Sequence, residues 1–144
     1  MTKEEIQALY RSKILPENKA PYHFEADFVS SWEVQAYNPM CGDKFKLQLV
    51  AEDDTIQEAY FHGIGCAISK ASTSILMKKI EGKSEAEVSQ LLGQFLAALN
   101  GDTYHFEDEE LNILAALKDF EGRVDCIKLS WEALMKSLSQ KNGN

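Results

Sequence analysis

No run of apolar residues in the sequence is long enough to cross a bilayer. The opening residues, Met1-Thr2-Lys3-Glu4-Glu5-Ile6, are charged where a secretory signal would be apolar. Basic residues are in deficit, 15 Lys and Arg against 23 Asp and Glu, for a formal net charge of -8. That balance leaves no basic stripe to displace the counterions of a nucleic acid or to hold an anionic membrane, so neither partner is expected. Proline is scarce, and there are no repeats, low-complexity tracts or domain linkers. Cysteine is scarce too, with three residues and no Cys-x-x-Cys pair. An odd count without a signal argues against a disulfide framework. The expectation is a reducing cytoplasm, with thiols free for metal or sulfur chemistry. With 44% hydrophobic residues over 144 positions, what is there reads as one acidic cytoplasmic domain, residues 1–144, with a core of its own.

Period and punctuation predict an α+β fold: a small three-stranded antiparallel sheet with about five helices packed mainly on one side. Ile6, Leu9, Tyr10 and Ile14 recur at helical spacing from Lys3 to about Ile14. Pro16 and Pro21 then punctuate an irregular arm that completes residues 1–30. Alternation predicts strands over Ser31 to Tyr37, over Lys44 to Leu49 and, after the Asp53-Asp54 turn, over Thr55 to His62. Past Gly63 and Gly65 the period changes to 3.6, and Ile68, Ala71, Ile75, Leu76 and Ile80 mark a helix running to Gly82. Ser84 with Glu87 forms a capping-box pattern ahead of Val88, Leu91, Leu92, Phe95 and Leu99, a helix closed by Asn100-Gly101-Asp102. A further helix covers Leu111, Leu114 and Leu117, with the acidic run Glu107 to Glu110 complementing its N-terminus. The last opens near Val124 and presents Ile127, Trp131, Leu134, Met135 and Leu138, leaving a frayed tail from Gln140 to Asn144.

The three cysteines occupy turn-like or helix-opening contexts, whereas inert cysteines are small hydrophobes inside helices and strands. Cys41 and Asp43 flank Gly42 on the connection between the first two strands, and glycine there lets both side chains converge. Cys66 follows Gly65 where a strand exit becomes a helix, and Cys126 lies in the first turn of the last helix. Unpaired N–H groups at such helix starts favour a thiolate. Three thiolates and one carboxylate make a four-ligand set suited to tetrahedral zinc, with Arg123 and Lys44 placed to offset the charge. Plainer readings stand beside this one: Cys66 and Cys126 as small core residues, Asp43 as a turn residue, Arg123 as a solvated flank. His23, His62 and His105 read as surface or edge residues, and Ser69, Ser72 and Ser74 lack the histidine partner of a serine nucleophile. The wide spacing of the cysteines leaves these alternatives open.

Three strings carry a resemblance to a known family. They are Asn38-Pro39-Met40-Cys41-Gly42-Asp43, Gly63-Ile64-Gly65-Cys66-Ala67-Ile68-Ser69-Lys70-Ala71-Ser72 and Arg123-x-x-Cys126-x-x-Leu129-x-Trp131. In content, order and separation they resemble the U-type iron–sulfur cluster assembly proteins, the IscU/NifU-N-like family, from about Trp32 to Leu138. The resemblance implies three antiparallel strands and several helices. Within the family the chain looks like the SufU type. IscU scaffolds have a histidine immediately before the third cysteine and a Leu-Pro-Pro-Val-Lys stretch, whereas here Asp125 takes the histidine's place and Lys118-Asp119-Phe120-Glu121-Gly122 stands upstream. The segment of about 82–103 looks like the inserted helix of the SufU type.

That resemblance implies a zinc site of Cys41, Asp43, Cys66 and Cys126, with Gly42, Gly65 and Arg123 in support. It implies that Cys41 accepts persulfide sulfur from a SufS-type, pyridoxal-phosphate-dependent cysteine desulfurase, freed for the task when a desulfurase histidine replaces it on the metal. The sulfur then passes to a SufBCD-type scaffold. The stretch Pro16 to Pro21 departs from the His-Tyr-containing segment usual there, a place where desulfurase docking can differ. One function is expected, with two alternatives beside it. The first is a zinc-dependent, sulfurtransferase-like acceptor, favoured by Asp125 and the extra helix. The second is a scaffold on which an Fe–S cluster is built, since thiolates suit such clusters equally. The third is a zinc-stabilised interaction module without sulfur transfer.

Overall fold

A computed structural model describes residues 2–25, 29–101, 105–119 and 122–143. The chain opens on a capping box. Thr2 Oγ1 accepts from the Glu5 N–H at 3.1 Å, and Glu5 accepts from the Thr2 N–H at 2.9 Å, starting α1 (Lys3–Leu9). A π turn over Tyr10–Ile14 leads into α2 (Leu15–Lys19). The helical arm thus continues beyond the predicted end near Ile14. The wider turn shifts the hydrogen-bond register, so Pro16, which has no N–H to donate, falls in the first turn of α2, where proline is tolerated.

Strands β1 (Trp32–Asn38), β2 (Asp43–Glu52) and β3 (Thr55–Ile64) pair antiparallel in that order. Val34 faces Leu47 and Ala36 faces Phe45 across the first pair, and Leu47 faces Phe61 and Leu49 faces Ala59 across the second. All of these are buried, so one face of the sheet is core. β2 begins earlier than predicted, and Asp43, read from the sequence as a connection residue, is its first residue, opposite Asn38.

The helices cover that face. α3 (Ala67–Ile80), α4 (Glu85–Leu99), α5 (Glu109–Ala116) with a 3-10 turn at Leu117–Asp119, and α6 (Val124–Gly143) follow in order. Ser84 closes its predicted capping box, accepting from the Glu87 N–H at 3.1 Å, and Asp108 caps α5. Trp131 of α6 stacks on Phe95 of α4 with ring centroids 3.9 Å apart, at the centre of a single apolar cluster shared with Phe45, Leu47 and Phe61 of the sheet. The predicted fraying from Gln140 gives way to a helix that runs through Gly143. Lys141 holds the last turn, pairing with the buried carboxylate of Glu85 and lying 4.7 Å over the Trp32 ring. Asn144 lies outside the described residues. The start of β2, the start of α3 and the start of α6 converge at one end of the molecule.

Candidate metal centre

Asp43, Cys66 and Cys126 bring one donor atom each to that convergence, all within 4.8 Å of one another. Each is placed by its element. Asp43 opens β2 facing inward by strand alternation and is 4% exposed. Cys66 is the N-cap of α3, its Sγ accepting the Ser69 N–H at 3.3 Å. Cys126 lies in the first turn of α6 and is buried. The Cys66 N–H donates to Asp43 Oδ1 at 3.1 Å, tying strand to helix. Asp43 Oδ2 is buried with no hydrogen-bond partner, although a buried carboxyl oxygen normally has one.

Burial pushes the Cys126 thiol up to about 12. The neighbouring Cys66 pushes the same way, and Arg123 pulls against both. The hydrogen bond from Arg123 to Cys126, together with the nearby Cys66, raises the arginine in turn. The donor set fits a thiophilic divalent cation. It combines two thiols with a carboxylate whose outer oxygen is orphaned, in a pocket that disfavours bare anions. Ligand atoms around tetrahedral zinc stand roughly 3.3–3.8 Å apart, so a group already this close needs only small side-chain rotations.

The remaining predicted residues lie around this trio. Cys41 is exposed on the β1–β2 turn, its Sγ outside the three-donor group. That turn is built by Asn38, whose Oδ1 accepts the Met40 N–H at 2.9 Å and whose carbonyl accepts the Gly42 N–H at 2.8 Å. Gly42 sits at φ +79°, a left-handed conformation that favours glycine. Gly65 is required for space: a Cβ there would stand 2.6 Å from Phe45 Cζ. Lys44 points away from Asp43, on the outer sheet face opposite Tyr37 and Ile64. Asp125 is exposed and 3.7 Å from Lys128, contributing no donor to the trio. Sequence reasoning missed Ser69 as the residue whose backbone caps back onto Cys66, and missed the Asn38 turn. A Ser three residues after an N-cap and an Asn before a proline were the available signals.

Fold and site together define the class: the NifU-like N terminal domain family matches residues 9–127, and the chain belongs to that family. Its relatives include an iron–sulfur cluster assembly scaffold protein IscU of Streptococcus pyogenes serotype M1, 32% identical over 97% of this chain and 89% of that one. A zinc-dependent sulfurtransferase SufU of Bacillus subtilis is 30% identical over 96% of this chain and 95% of that one. The crystal structure of a putative iron–sulfur cluster assembly scaffold protein for the SUF system, from Fervidobacterium islandicum AW-1, matches with a TM-score of 0.79. It is 26% identical and covers 92% of this chain and 98% of that one. The relatives thus carry two functional names, scaffold and sulfurtransferase.

Proposed function

We propose that this protein is a cytoplasmic, SufU-type zinc-dependent sulfur acceptor in iron–sulfur cluster biogenesis. It takes sulfur onto Cys41 from a SufS-type cysteine desulfurase and passes it to a SufBCD-type assembly complex. The observation that carries this reading is the division of labour among the four candidate ligands. Three of them, Asp43, Cys66 and Cys126, turn inward as a donor trio, while Cys41 stands exposed two residues before Asp43. Zinc held by the trio with Cys41 as fourth ligand would supply positive charge that keeps thiols deprotonated at neutral pH.

Cys41 then does the transfer. Its Sγ attacks the outer sulfur of the desulfurase persulfide, forming one S–S bond as the S–S bond within that persulfide breaks, and the desulfurase cysteine leaves as a thiolate. No external oxidant or reductant enters. The orphaned Oδ2 of Asp43 supports its role as the ligand that stays while Cys41 leaves. Tyr37, Met40 and Ile64, which are 58%, 91% and 74% exposed, offer apolar surface beside Cys41 for a protein partner. Asp125 and α4, read as the inserted helix of a single SufU-type domain, favour the acceptor over a cluster scaffold, because no histidine stands beside Cys126 to add a ligand.

Incubation with a cysteine desulfurase and cysteine, followed by peptide mass spectrometry, tests the reading. One added sulfur on Cys41 is expected. Sulfur on Cys126 and never on Cys41 would refute the assignment. A brown, anaerobically purified protein that donates a cluster to an apo-acceptor would support the scaffold function instead.

A further inference from the structure

Four hydroxyl side chains, Ser69, Ser72 and Thr73 of α3 and Ser130 of α6, are each 1% exposed, on the two helices that carry Cys66 as N-cap and Cys126 in the first turn. Ser69 donates its N–H to Cys66 Sγ at 3.3 Å, and its carbonyl accepts from Thr73 Oγ1 at 2.8 Å. Thr73 Oγ1 is in turn 2.7 Å from Ser130 Oγ on α6. Ser72 Oγ donates to the Ile127 carbonyl at 2.6 Å and accepts from Trp131 Nε1–H at 2.9 Å. Hydrogen bonds therefore cross between the two helices at the residue after Cys126 and again about one turn further on.

Stability alone does not ask for these hydroxyls. Apolar side chains of similar size would pack the interface without desolvating polar groups. What hydrogen bonds add is a unique register, because they weaken steeply with distance and angle whereas apolar ridges tolerate sliding. With Cys66 capping α3 and Cys126 in the first turn of α6, the register of the two helices sets the separation of the two thiols. We propose that Ser72, gripping the Ile127 carbonyl and backed by the Thr73–Ser130 contact, is a positioning residue that holds Cys66 and Cys126 at metal-binding separation. This inference rests on the reading of Asp43, Cys66 and Cys126 as metal ligands.

The test measures zinc affinity of the full chain by competition with a chromogenic chelator, for the wild type, Ser72→Ala, Ser130→Ala and Ser74→Ala. Cobalt(II) spectra of the same proteins report ligand geometry. Ser74 is the control: it is equally buried on α3 but ties that helix to the N-terminal arm, accepting the Tyr22 N–H at 2.7 Å and donating to Glu17. Ser72→Ala is expected to weaken zinc binding roughly 10–100-fold, the range typical of lost outer-shell support, and to alter the cobalt d–d bands. Ser130→Ala is expected to change both in the same direction by less. Ser74→Ala should leave both as in the wild type despite its own destabilisation. Wild-type affinity and spectrum in Ser72→Ala would overturn the inference, and if that variant does not fold, the same result in Ser130→Ala would do so. A wild-type chain that binds no zinc would instead overturn the metal-site reading.

Discussion

Asp43 and Cys66, 23 residues apart, share a hydrogen bond of 3.1 Å through Oδ1, while Oδ2 of the same carboxyl is buried without a partner. One oxygen organises the backbone at the start of α3, and the other is held in reserve. Asp43→Ala removes both. Without metal, relief from an unpartnered buried oxygen, about 1–3 kcal/mol, is opposed by a cost of similar size, because the Cys66 N–H loses its carboxylate acceptor. The metal-free variant should therefore unfold in urea close to the wild-type midpoint. With zinc at 1,000 times its dissociation constant the wild type should gain about 4 kcal/mol and the variant almost none. Urea titrations with and without zinc, paired with metal analysis, check both halves. An equal gain in the variant would remove Asp43 from the ligand set.

Gly65 answers to packing. A Cβ there would meet Phe45 Cζ at 2.6 Å, Ser69 Oγ at 2.6 Å and Phe45 Cε2 at 2.9 Å, and the Phe45 ring is fully buried with nowhere to go. Gly65→Ala should cost about 1–3 kcal/mol through overpacking. It should also displace Cys66, the next residue, and weaken zinc binding. Thermal unfolding and chelator competition on one preparation measure the two effects, and a variant with wild-type Tm would mean that the ring yields.

Much of this was legible because it is local. The Ser84 capping box, the Asp53-Asp54 turn at φ 52° and 60°, and the helix start at Cys66 are each determined by a few neighbouring residues. Asp43, Cys66 and Cys126 could be assigned to element starts, but the meeting of their donor atoms depends on sheet register and on α3–α6 packing, which no local pattern encodes. Distance in sequence explains the misses too. The end of α6 is held by Glu85 and Trp32, and the serines of α3, useless as nucleophiles, acquire partners only when α6 arrives. Pro16 misled because a helix break was expected where the chain runs through a π turn into α2, with Pro16 in the first turn of that helix.

Glu110 ties α5 to α3 through Lys78 at 2.8 Å and Lys79 at 2.6 Å. Burial by itself would raise its carboxyl, but the hydrogen bonds and charges of the two ammonium groups outweigh burial and hold it below the usual carboxylate range. A depressed folded-state value means that the stabilisation is present above the unfolded value, about 4.3, and is lost as pH falls through the folded one. Glu110→Gln should cost about 1 kcal/mol or less at neutral pH, because the group is partly exposed, and should flatten the acid limb of the stability profile. Denaturation midpoints between pH 7 and 3 check this, and parallel profiles for the two proteins would rule Glu110 out of the acid response.

The exposed thiol of Cys41 and the buried thiol of Cys126 should respond in opposite ways to the same substitution. Cys41 stands on the turn, where water can take its place on a metal held by three protein ligands, an arrangement that open zinc sites use routinely. Cys126 is buried beside Arg123, and on the proposed reading its loss would remove a ligand that water is poorly placed to replace. Cys41→Ser should therefore keep near-stoichiometric zinc while taking up no sulfur. Cys126→Ser should weaken zinc binding by roughly 100-fold or more, since loss of outer-shell support alone costs 10–100-fold. Metal analysis after dialysis and persulfide mass spectrometry on the two variants check both. Loss of zinc from Cys41→Ser equal to that from Cys126→Ser would mean that the exposed cysteine is a full structural ligand, and the division between three holders and one acceptor would fall.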